Sequence, residues 1–161
     1  MGPLHAAVYN VDEDRVRQLL TEGSDPNERD EAGFVPLHWA ALRGAAGDMQ
    51  PIVRLLVDAG ADMNVLASTG TDSVLSWAVE SGSVAMVVLL IRCGVDVNLP
   101  ASGVTPLMRA GATGNVIIVN LLLQHGADPN TRCGSFNAAD YASHYGYAEL
   151  ASELLRIQHA V

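Results

Sequence analysis

An apolar run followed by a glycine turn and an asparagine occurs four times along the chain. The four copies read LLTEGSDPN from Leu19, LLVDAGADMN from Leu55, LLIRCGVDVN from Leu89 and LLLQHGADPN from Leu121. The segments before them align at Pro3, Pro36, Val74 and Pro106, and a fifth aligns at Ala138, with spacings of 33, 38, 32 and 32 residues. A period of roughly 20–50 residues is typical of proteins in which each unit buries its apolar face against its neighbours. The chain is therefore predicted to be an array of five similar units.

Proline and glycine mark the helices inside each unit. Proline suits the first turn of a helix, where its missing N–H has no hydrogen bond to lose, and Pro36 and Pro106 stand there. Glycine ends a helix because it readily adopts the left-handed conformation. We expect this role at the end of the first helix for Gly44, Gly82, Gly114 and Gly146, and after the second helix for Gly23, Gly60, Gly94 and Gly126. Each unit then consists of a hairpin, a helix, a loop and a second helix.

Two long segments carry a family resemblance. VPLHWAALRG followed by IVRLLVDAGADMN, and TPLMRAGATG followed by VIIVNLLLQHGADPN, closely resemble the ankyrin repeat. The resemblance covers the whole chain as five repeats, approximately 1–30, 31–67, 68–100, 101–132 and 133–161. It implies an all-α solenoid of helix-loop-helix units joined by short β-hairpin loops, forming a single domain over 1–161. It also implies that Asp25, Asp62, Asp96 and Asp128, each with the asparagine two residues on, shape the hairpin that leads to the next repeat.

Charge and composition narrow the partner classes. The net charge of −9 argues against nucleic acid, whose binders carry a basic face, so a charged partner should be basic. All nine basic residues are arginine, which reflects either genome composition or selection against ubiquitin attachment. No apolar run approaches the roughly 18–20 residues of a membrane span, so we expect no direct membrane insertion. Two isolated cysteines, Cys93 and Cys133, fit reduced thiols and a cytoplasmic or nuclear location.

No residue set in the sequence resembles a catalytic or metal site. The resemblance assigns His5 and His38 to a structural position that ties each repeat to the hairpin beside it. The same position holds Ser76, Met108 and Asp140 in later repeats, a series that neither a metal site nor a catalytic triad would tolerate. Cys93 and His125 are equivalent in successive repeats, but two ligands do not make a zinc site. We therefore expect neither an enzyme nor a cofactor.

The repeat register places the aromatic residues on one face. In ankyrin repeats the residue after the structural histidine faces a concave groove, and here that position holds Ala6, Trp39, Trp77, Arg109 and Tyr141. The hairpin position facing the same groove holds Phe34, Asp72, Val104 and Phe136. Both tryptophans and both phenylalanines of the chain fall in these two positions. The predicted contact set adds Arg43 and Glu80, and comprises Phe34, Trp39, Arg43, Asp72, Trp77, Glu80, Val104, Arg109, Phe136 and Tyr141.

This contact set suits a basic or proline-containing peptide. Trp39 and Trp77 offer flat walls beside the Asp72 carboxylate, and such walls stack on a cationic side chain or a proline ring. On this interpretation Arg43 and Arg109 meet carboxylates or carbonyls of the peptide, and replacing the tryptophans by alanine leaves thermal unfolding nearly unchanged. Alternatively, the bulky residues pack on neighbouring hairpins and serve stability alone.

Other features leave alternatives open. The chain resembles, in length and lack of lysine, the small ankyrin inhibitors of cyclin-dependent kinases, which suggests a folded-domain inhibitor or scaffold instead. The Ala45–Pro51 insertion is either a tolerated surface loop or a contact for one partner. Asn98 and Asn130 lie in the spacing of ankyrin asparagines that are hydroxylated in animals. Four apolar residues of the second helices are expected to be buried between repeats rather than to form a dimer patch, and we expect a monomer: Val84, Val88, Val116 and Ile117.

Overall fold

The chain folds into a row of helix pairs. A computed structural model describes residues 1–45 and 47–159, and over these residues it contains ten α-helices. Each repeat consists of one pair: α1 Pro3–Tyr9 with α2 Glu13–Thr21, α3 Pro36–Leu42 with α4 Gln50–Asp58, α5 Val74–Glu80 with α6 Val84–Arg92, α7 Pro106–Thr113 with α8 Val116–Gln124, and α9 Ala138–His144 with α10 Ala148–Gln158. In the part of the chain described, none of these helices combines the length and apolar character needed to cross a bilayer.

The helix pairs stack side by side. The first helices contact one another in the order α1, α3, α5, α7, α9, and the second helices pack behind them, each against its own partner. Single antiparallel β-bridges close the hairpins before repeats 3, 4 and 5, joining Leu66 to Ser73, Ala101 to Val104 and Cys133 to Phe136. This arrangement confirms the predicted all-α solenoid with short β-hairpin loops.

The core runs along the whole row as a series of layers. In repeat 2 the buried side chains include those of Leu37, Ala40, Ile52 and Leu56, and most equivalent positions in the other repeats are buried, except that Arg15 of repeat 1, at the position of Ile52, is exposed. Alanine on the first helices lets neighbouring helices approach, while leucine, isoleucine and valine on both helices fill the space between them. No single repeat encloses this core, so its stability depends on contact with the next repeat.

Buried histidines tie successive repeats together, as predicted. The His5 Nε2–H donates to the carbonyl oxygen of Phe34 over 3.1 Å, and the His38 Nε2–H donates to that of Asp72 over 3.4 Å. The other ring nitrogen of His38 accepts from the Val35 backbone N–H at 3.3 Å. Burial lowers the pKa of His38 to about 4, so the ring is neutral at pH 7.

Asparagines after the second helices connect successive repeats by hydrogen bonds. The Asn27 side-chain oxygen accepts from the Asp62 backbone N–H at 2.8 Å, and the Asn64 and Asn98 oxygens accept in the same way from Asp96 and Asp128. Each aspartate in turn accepts from the N–H two residues on, as in Asp62 with Asn64. The aspartates and asparagines named from the resemblance therefore fix the loop and its spacing to the next repeat.

The glycine expectation holds at every position except Gly44. The seven other named glycines are left-handed, with φ between 68° and 93°. Gly44 lies instead in a 3-10 turn, Arg43–Ala45. A Cβ at Gly44 would lie 2.6 Å from the Met86 Cβ, and the Gly44 carbonyl accepts from the Ser83 hydroxyl at 2.9 Å. Close packing against repeat 3, not a left-handed backbone, therefore requires glycine here.

The insertion in repeat 2 extends the loop between α3 and α4. The Asp48 side chain accepts from the Gln50 backbone N–H at 3.0 Å, and Pro51 lies in the first turn of α4, as expected. Met49 just before α4 is buried, so the end of the loop is anchored to the core. Ala46, also part of the insertion, lies outside the described residues.

The expected burial of the second-helix residues is wrong for two of the four. Val84 and Val88 are half-buried, but Val116 and Ile117 are exposed, Ile117 by 64%. The positions of α8 that face the core are Ile118, Val119 and Leu122. Val116 and Ile117 occupy the first turn of α8, on the side turned away from that buried face, so their side chains remain in solvent.

Candidate functional site

Four aromatic rings from three successive repeats meet on one side of the molecule, which is formed by the first helices and the hairpins before them. We call this side the groove face. These rings, the aromatic cluster, belong to Tyr9, Phe34, Trp39 and Trp77. The Phe34 and Trp77 ring centroids lie 4.5 Å apart, and Trp39 lies 5.6 Å from Tyr9, 6.1 Å from Phe34 and 5.9 Å from Trp77. Most of these pairs are edge-to-face, a favourable arrangement of aromatic quadrupoles.

The aromatic cluster is partly buried and partly open to solvent. Phe34, Trp39 and Trp77 are half-buried, the two indoles against the core, whereas Tyr9 is 38% exposed. Both interpretations of these residues, packing and contact, are therefore compatible with their position. Removing an indole should cost stability, contrary to the expectation that thermal unfolding would stay nearly unchanged.

Asp30 holds the Trp39 side chain in one orientation. The Trp39 indole N–H donates to one carboxylate oxygen of Asp30 over 2.8 Å, and the other oxygen accepts from the backbone N–H groups of Ala32 and Phe34, each over 3.0 Å. Burial acts to raise the pKa of Asp30, but these three hydrogen bonds outweigh it and the pKa is lowered. The exposed edge of Trp39 is thus preorganised, because rotating the ring would break the bond to Asp30.

A second feature of the groove face is an ion pair that joins repeats 3 and 4. The Arg109 guanidinium donates to the Glu80 carboxylate over 2.9 Å and lies 4.0 Å from the Asp72 carboxylate. The Asp72 carboxylate also accepts from the Thr71 hydroxyl at 2.6 Å. Three predicted contact residues therefore bind one another within the chain.

The other predicted arginine, Arg43, stacks on Tyr9. Its guanidinium carbon lies 4.8 Å from the Tyr9 ring centroid, within the range of a cation–π interaction. Its Nε is buried and makes no hydrogen bond with any described residue. Arg43 therefore lies at the N-terminal edge of the aromatic cluster.

The remaining predicted contact residues lie toward the C-terminal repeat. Phe136 and Tyr141 form an edge-to-face pair with centroids 6.1 Å apart, and with His144 and Tyr145 they line a hollow of about 200 Å³. Burial chiefly raises the pKa of Tyr141, which also lies beside the Cys133 thiol. Val104 is half-buried on the hairpin of repeat 4. The ten predicted residues therefore form two aromatic patches with the ion pair among them, rather than one continuous strip.

The described residues hold no group of three or more histidine, cysteine, aspartate or glutamate side chains that could bind a metal ion.

Comparison with known proteins identifies the repeat. The family model for ankyrin repeats matches residues 4–101, 45–133 and 75–160, in three overlapping copies. The chain belongs to the ankyrin-repeat family. The ankyrin-repeat chain is 32% identical to the B-cell lymphoma 3 protein homolog of Mus musculus over 96% of its own length and 35% of the relative. It is 34% identical to the transient receptor potential channel pyrexia of Drosophila melanogaster over 78% of its length and 13% of the relative.

Membership defines the general role of the fold. Ankyrin repeats are protein-interaction modules and typically non-catalytic. The chain is also 32% identical to a third relative, the neurogenic locus notch homolog protein 1 of Danio rerio. This match covers 78% of the ankyrin-repeat chain and 5% of the relative. The chain thus spans about a third or less of these relatives. Because such different proteins share the repeat, the repeat itself does not identify a partner.

Sequence reasoning missed three residues of the groove face. Tyr9 and Leu42 lie three residues after the groove positions Ala6 and Trp39, as Glu80 lies three after Trp77. Residues three apart on a helix share a face, so extending the register by one turn would have found them. Asp30 had no such signal, because only the folded hairpin brings its carboxylate to the Trp39 indole.

Proposed function

We propose that the ankyrin-repeat chain is a non-catalytic module that binds an extended peptide on the groove face. One observation carries the proposal: aromatic rings from three successive repeats touch one another and still present surface to solvent. Rigid aromatic side chains bury large areas at little cost in side-chain entropy, and for this reason they dominate many binding surfaces. The ten predicted contact residues, with Tyr9, Asp30 and Leu42 added, form the proposed site.

The chemistry beside the cluster favours a basic or proline-containing peptide. Leu42, Asp72, Trp77 and Glu80 line a hollow of about 340 Å³ next to the cluster. An indole wall with two carboxylates suits a cationic side chain, and the edges of Trp39 and Trp77 suit a proline ring. The net charge of −9 adds long-range attraction for a basic peptide and repels nucleic acid. We propose that the module acts as a monomer in the cytoplasm or nucleus.

Selection from a displayed library of random peptides tests the proposal. Peptides enriched on the wild-type chain are titrated against Trp39→Ala, Trp77→Ala and the control Ile117→Ala, which removes an exposed apolar side chain from the second helices. We expect either tryptophan variant to weaken binding about 30-fold or more, as at an aromatic hot spot, and the control to leave it unchanged. Far-UV circular dichroism at the assay temperature shows whether each variant is folded. If folded tryptophan variants bind as tightly as wild type, the proposal fails.

A folded-domain inhibitor or scaffold is the second candidate, and the hairpins favour it. The Ser68 backbone N–H donates to the Gly33 carbonyl over 3.1 Å, and the Ser102 N–H donates to the Gly70 carbonyl over 2.9 Å. These hydrogen bonds fix successive hairpins relative to one another. A row of fixed hairpins suits a partner with a rigid surface. For such a partner, Thr69→Arg at an exposed hairpin tip should abolish binding, while Trp39→Ala should have little effect.

A further inference from the structure

Two carboxylates that line the hollow beside Trp77 are already close to a cationic side chain of the same chain. Its walls are the Trp77 indole, the Leu42 side chain and the carboxylates of Asp72 and Glu80. Arg109 reaches both carboxylates from the next repeat, at 2.9 Å to Glu80 and 4.0 Å to Asp72. A guanidinium is therefore paired with the same carboxylates that the proposed function assigns to a basic side chain of the peptide.

The bond that retains Arg109 is a weak one. The Glu80 side chain is 60% exposed, so water and salt screen its attraction to Arg109, whose own side chain is 23% exposed. Exposed ion pairs contribute little to stability because each long side chain must be held in one geometry. Arg109 also lacks a hydrogen-bond partner at its buried Nε among the described residues. A guanidinium that stacked on Trp77 and bonded both carboxylates could displace it.

We propose that Arg109 is an internal competitor that holds the Glu80 and Asp72 carboxylates of this hollow until a peptide arginine replaces it. This inference rests on the proposed function, because it concerns the same groove face. It predicts the opposite sign from a direct contact, since removing Arg109 should tighten the binding of a basic peptide instead of weakening it. Arg109 is then a residue that sets specificity by excluding weakly basic ligands.

The geometry also discriminates between the two basic side chains. The Asp72 and Glu80 carboxylates are both within reach of one planar guanidinium, which donates in two directions at once. A lysine ammonium is a compact charge that cannot span both carboxylates and stack flat on the indole. We therefore infer that the hollow accepts arginine in preference to lysine.

Short homopeptides test this inference directly. Blocked hexa-arginine and hexa-lysine peptides are titrated into the full chain at low salt, with tryptophan emission as the signal. The signal is local, because both tryptophans of the chain belong to the aromatic cluster. Two variants change the site, Arg109→Gln and Glu80→Gln. Two controls make the same changes in net charge at exposed positions: Arg54→Gln on α4 and Glu22→Gln directly after α2.

We expect Arg109→Gln to bind hexa-arginine about three- to five-fold more tightly than wild type, as loss of one partly exposed ion pair allows. Glu80→Gln should bind about three-fold more weakly. Arg54→Gln should tighten binding and Glu22→Gln should weaken it, each by less than about two-fold, because only long-range attraction is altered. Hexa-lysine should bind wild type more weakly than hexa-arginine. Arg109→Lys keeps the charge and provides a second variant if Arg109→Gln fails to fold; it should bind hexa-arginine more tightly than wild type.

The inference is overturned if Arg109→Gln binds hexa-arginine no better than Arg54→Gln, or if hexa-arginine leaves the tryptophan emission unchanged in every variant. The proposed function can survive either result. It stands if a library-selected peptide without arginine still needs Trp39 and Trp77 for binding. It fails separately if no selected peptide depends on the aromatic cluster.

Discussion

The two aromatic patches of the groove face occupy the same register but differ in their surroundings. Phe34 and Trp39 of repeat 2 correspond to Phe136 and Tyr141 of repeat 5. Phe34 is half-buried because Trp77 of the following repeat lies 4.5 Å from it, whereas Phe136 is 50% exposed and pairs with Tyr141 of its own repeat at 6.1 Å. The ring of Trp77 in the next repeat therefore covers Phe34, and no ring of another repeat covers Phe136 among the described residues.

The difference extends to the residues beneath the rings. His38 lies 5.6 Å, centroid to centroid, from both Phe34 and Trp77 and bonds to the backbone of repeat 3. The equivalent residue in repeat 5, Asp140, accepts at 2.9 Å from the backbone of Asn137 in its own repeat. The aromatic cluster is thus part of the junction between repeats, while the Phe136 patch belongs to one repeat. Mutation and pH should therefore affect the two patches unequally.

The largest expected difference is in the pH dependence of stability. Burial lowers the pKa of His38 from an unfolded value of 6.5 to about 4. The contribution of neutral His38 to the unfolding free energy is fully present above pH 6.5 and is lost as the pH falls toward 4. The reason is that the unfolded chain binds a proton there that the folded chain excludes. The shift corresponds to at most about 3 kcal/mol of unfolding free energy. Urea unfolding at intervals from pH 7 to 4.5 measures it.

Replacement of His38 by glutamine isolates this contribution. His38→Gln lacks the titrating group, so its unfolding free energy should fall less steeply than that of wild type between pH 6.5 and 4.5. All other titratable groups are common to the two proteins, so the difference between the slopes isolates His38. Equal slopes for the two proteins would contradict a depressed His38 pKa.

The next largest difference concerns the rings themselves. Trp77→Ala removes a half-buried indole that contacts Phe34, Trp39 and His38, and should lower the unfolding free energy by about 2 kcal/mol, less than for a fully buried ring. Phe136→Ala removes an exposed ring and should change it by no more than about 0.5 kcal/mol. Urea unfolding followed by far-UV circular dichroism measures both. Equal losses would remove the distinction between the two patches.

The fold was largely predictable because the repeat pattern occurs several times in the sequence. Periodic leucines, helix-starting prolines and the Asp-x-Asn turns define five units. The pattern in each unit supports the helices predicted for the next one. The misjudged positions depend on a neighbour. Gly44 is required by Met86 of the next repeat, and the exposure of Ile117 depends on which side of α8 faces the core. Such contacts have no local sequence pattern.

The groove face was predictable as a set of positions but not as a network. The register placed the aromatic residues on one face, and the structure brings Phe34, Trp39 and Trp77 into contact. The sequence did not reveal that Arg109 binds Glu80 and approaches Asp72, or that Arg43 stacks on Tyr9. Side-chain pairing across repeats depends on helix spacing and rotamer, which a register alone does not specify.

The smallest effect concerns the hydrogen bond that orients Trp39. Asp30→Asn can keep one oxygen for the backbone N–H groups of Ala32 and Phe34 but then turns an amide N–H₂ toward the indole N–H. Loss of this bond should lower the unfolding free energy at pH 7 by about 1 kcal/mol. The pKa of Asp30 is lowered in the folded chain, so its advantage over asparagine is present above pH 3.8 and decreases as the pH falls below that value. Urea unfolding of both proteins at pH 7 and pH 3 measures this difference, and a cost that is the same at both values would show that the charge of Asp30 does not stabilise the ring. Tyr141→Phe is the matched change in the patch of Phe136 and Tyr141. It should lower the unfolding free energy by less, because it leaves no oriented carboxylate without a hydrogen-bond donor.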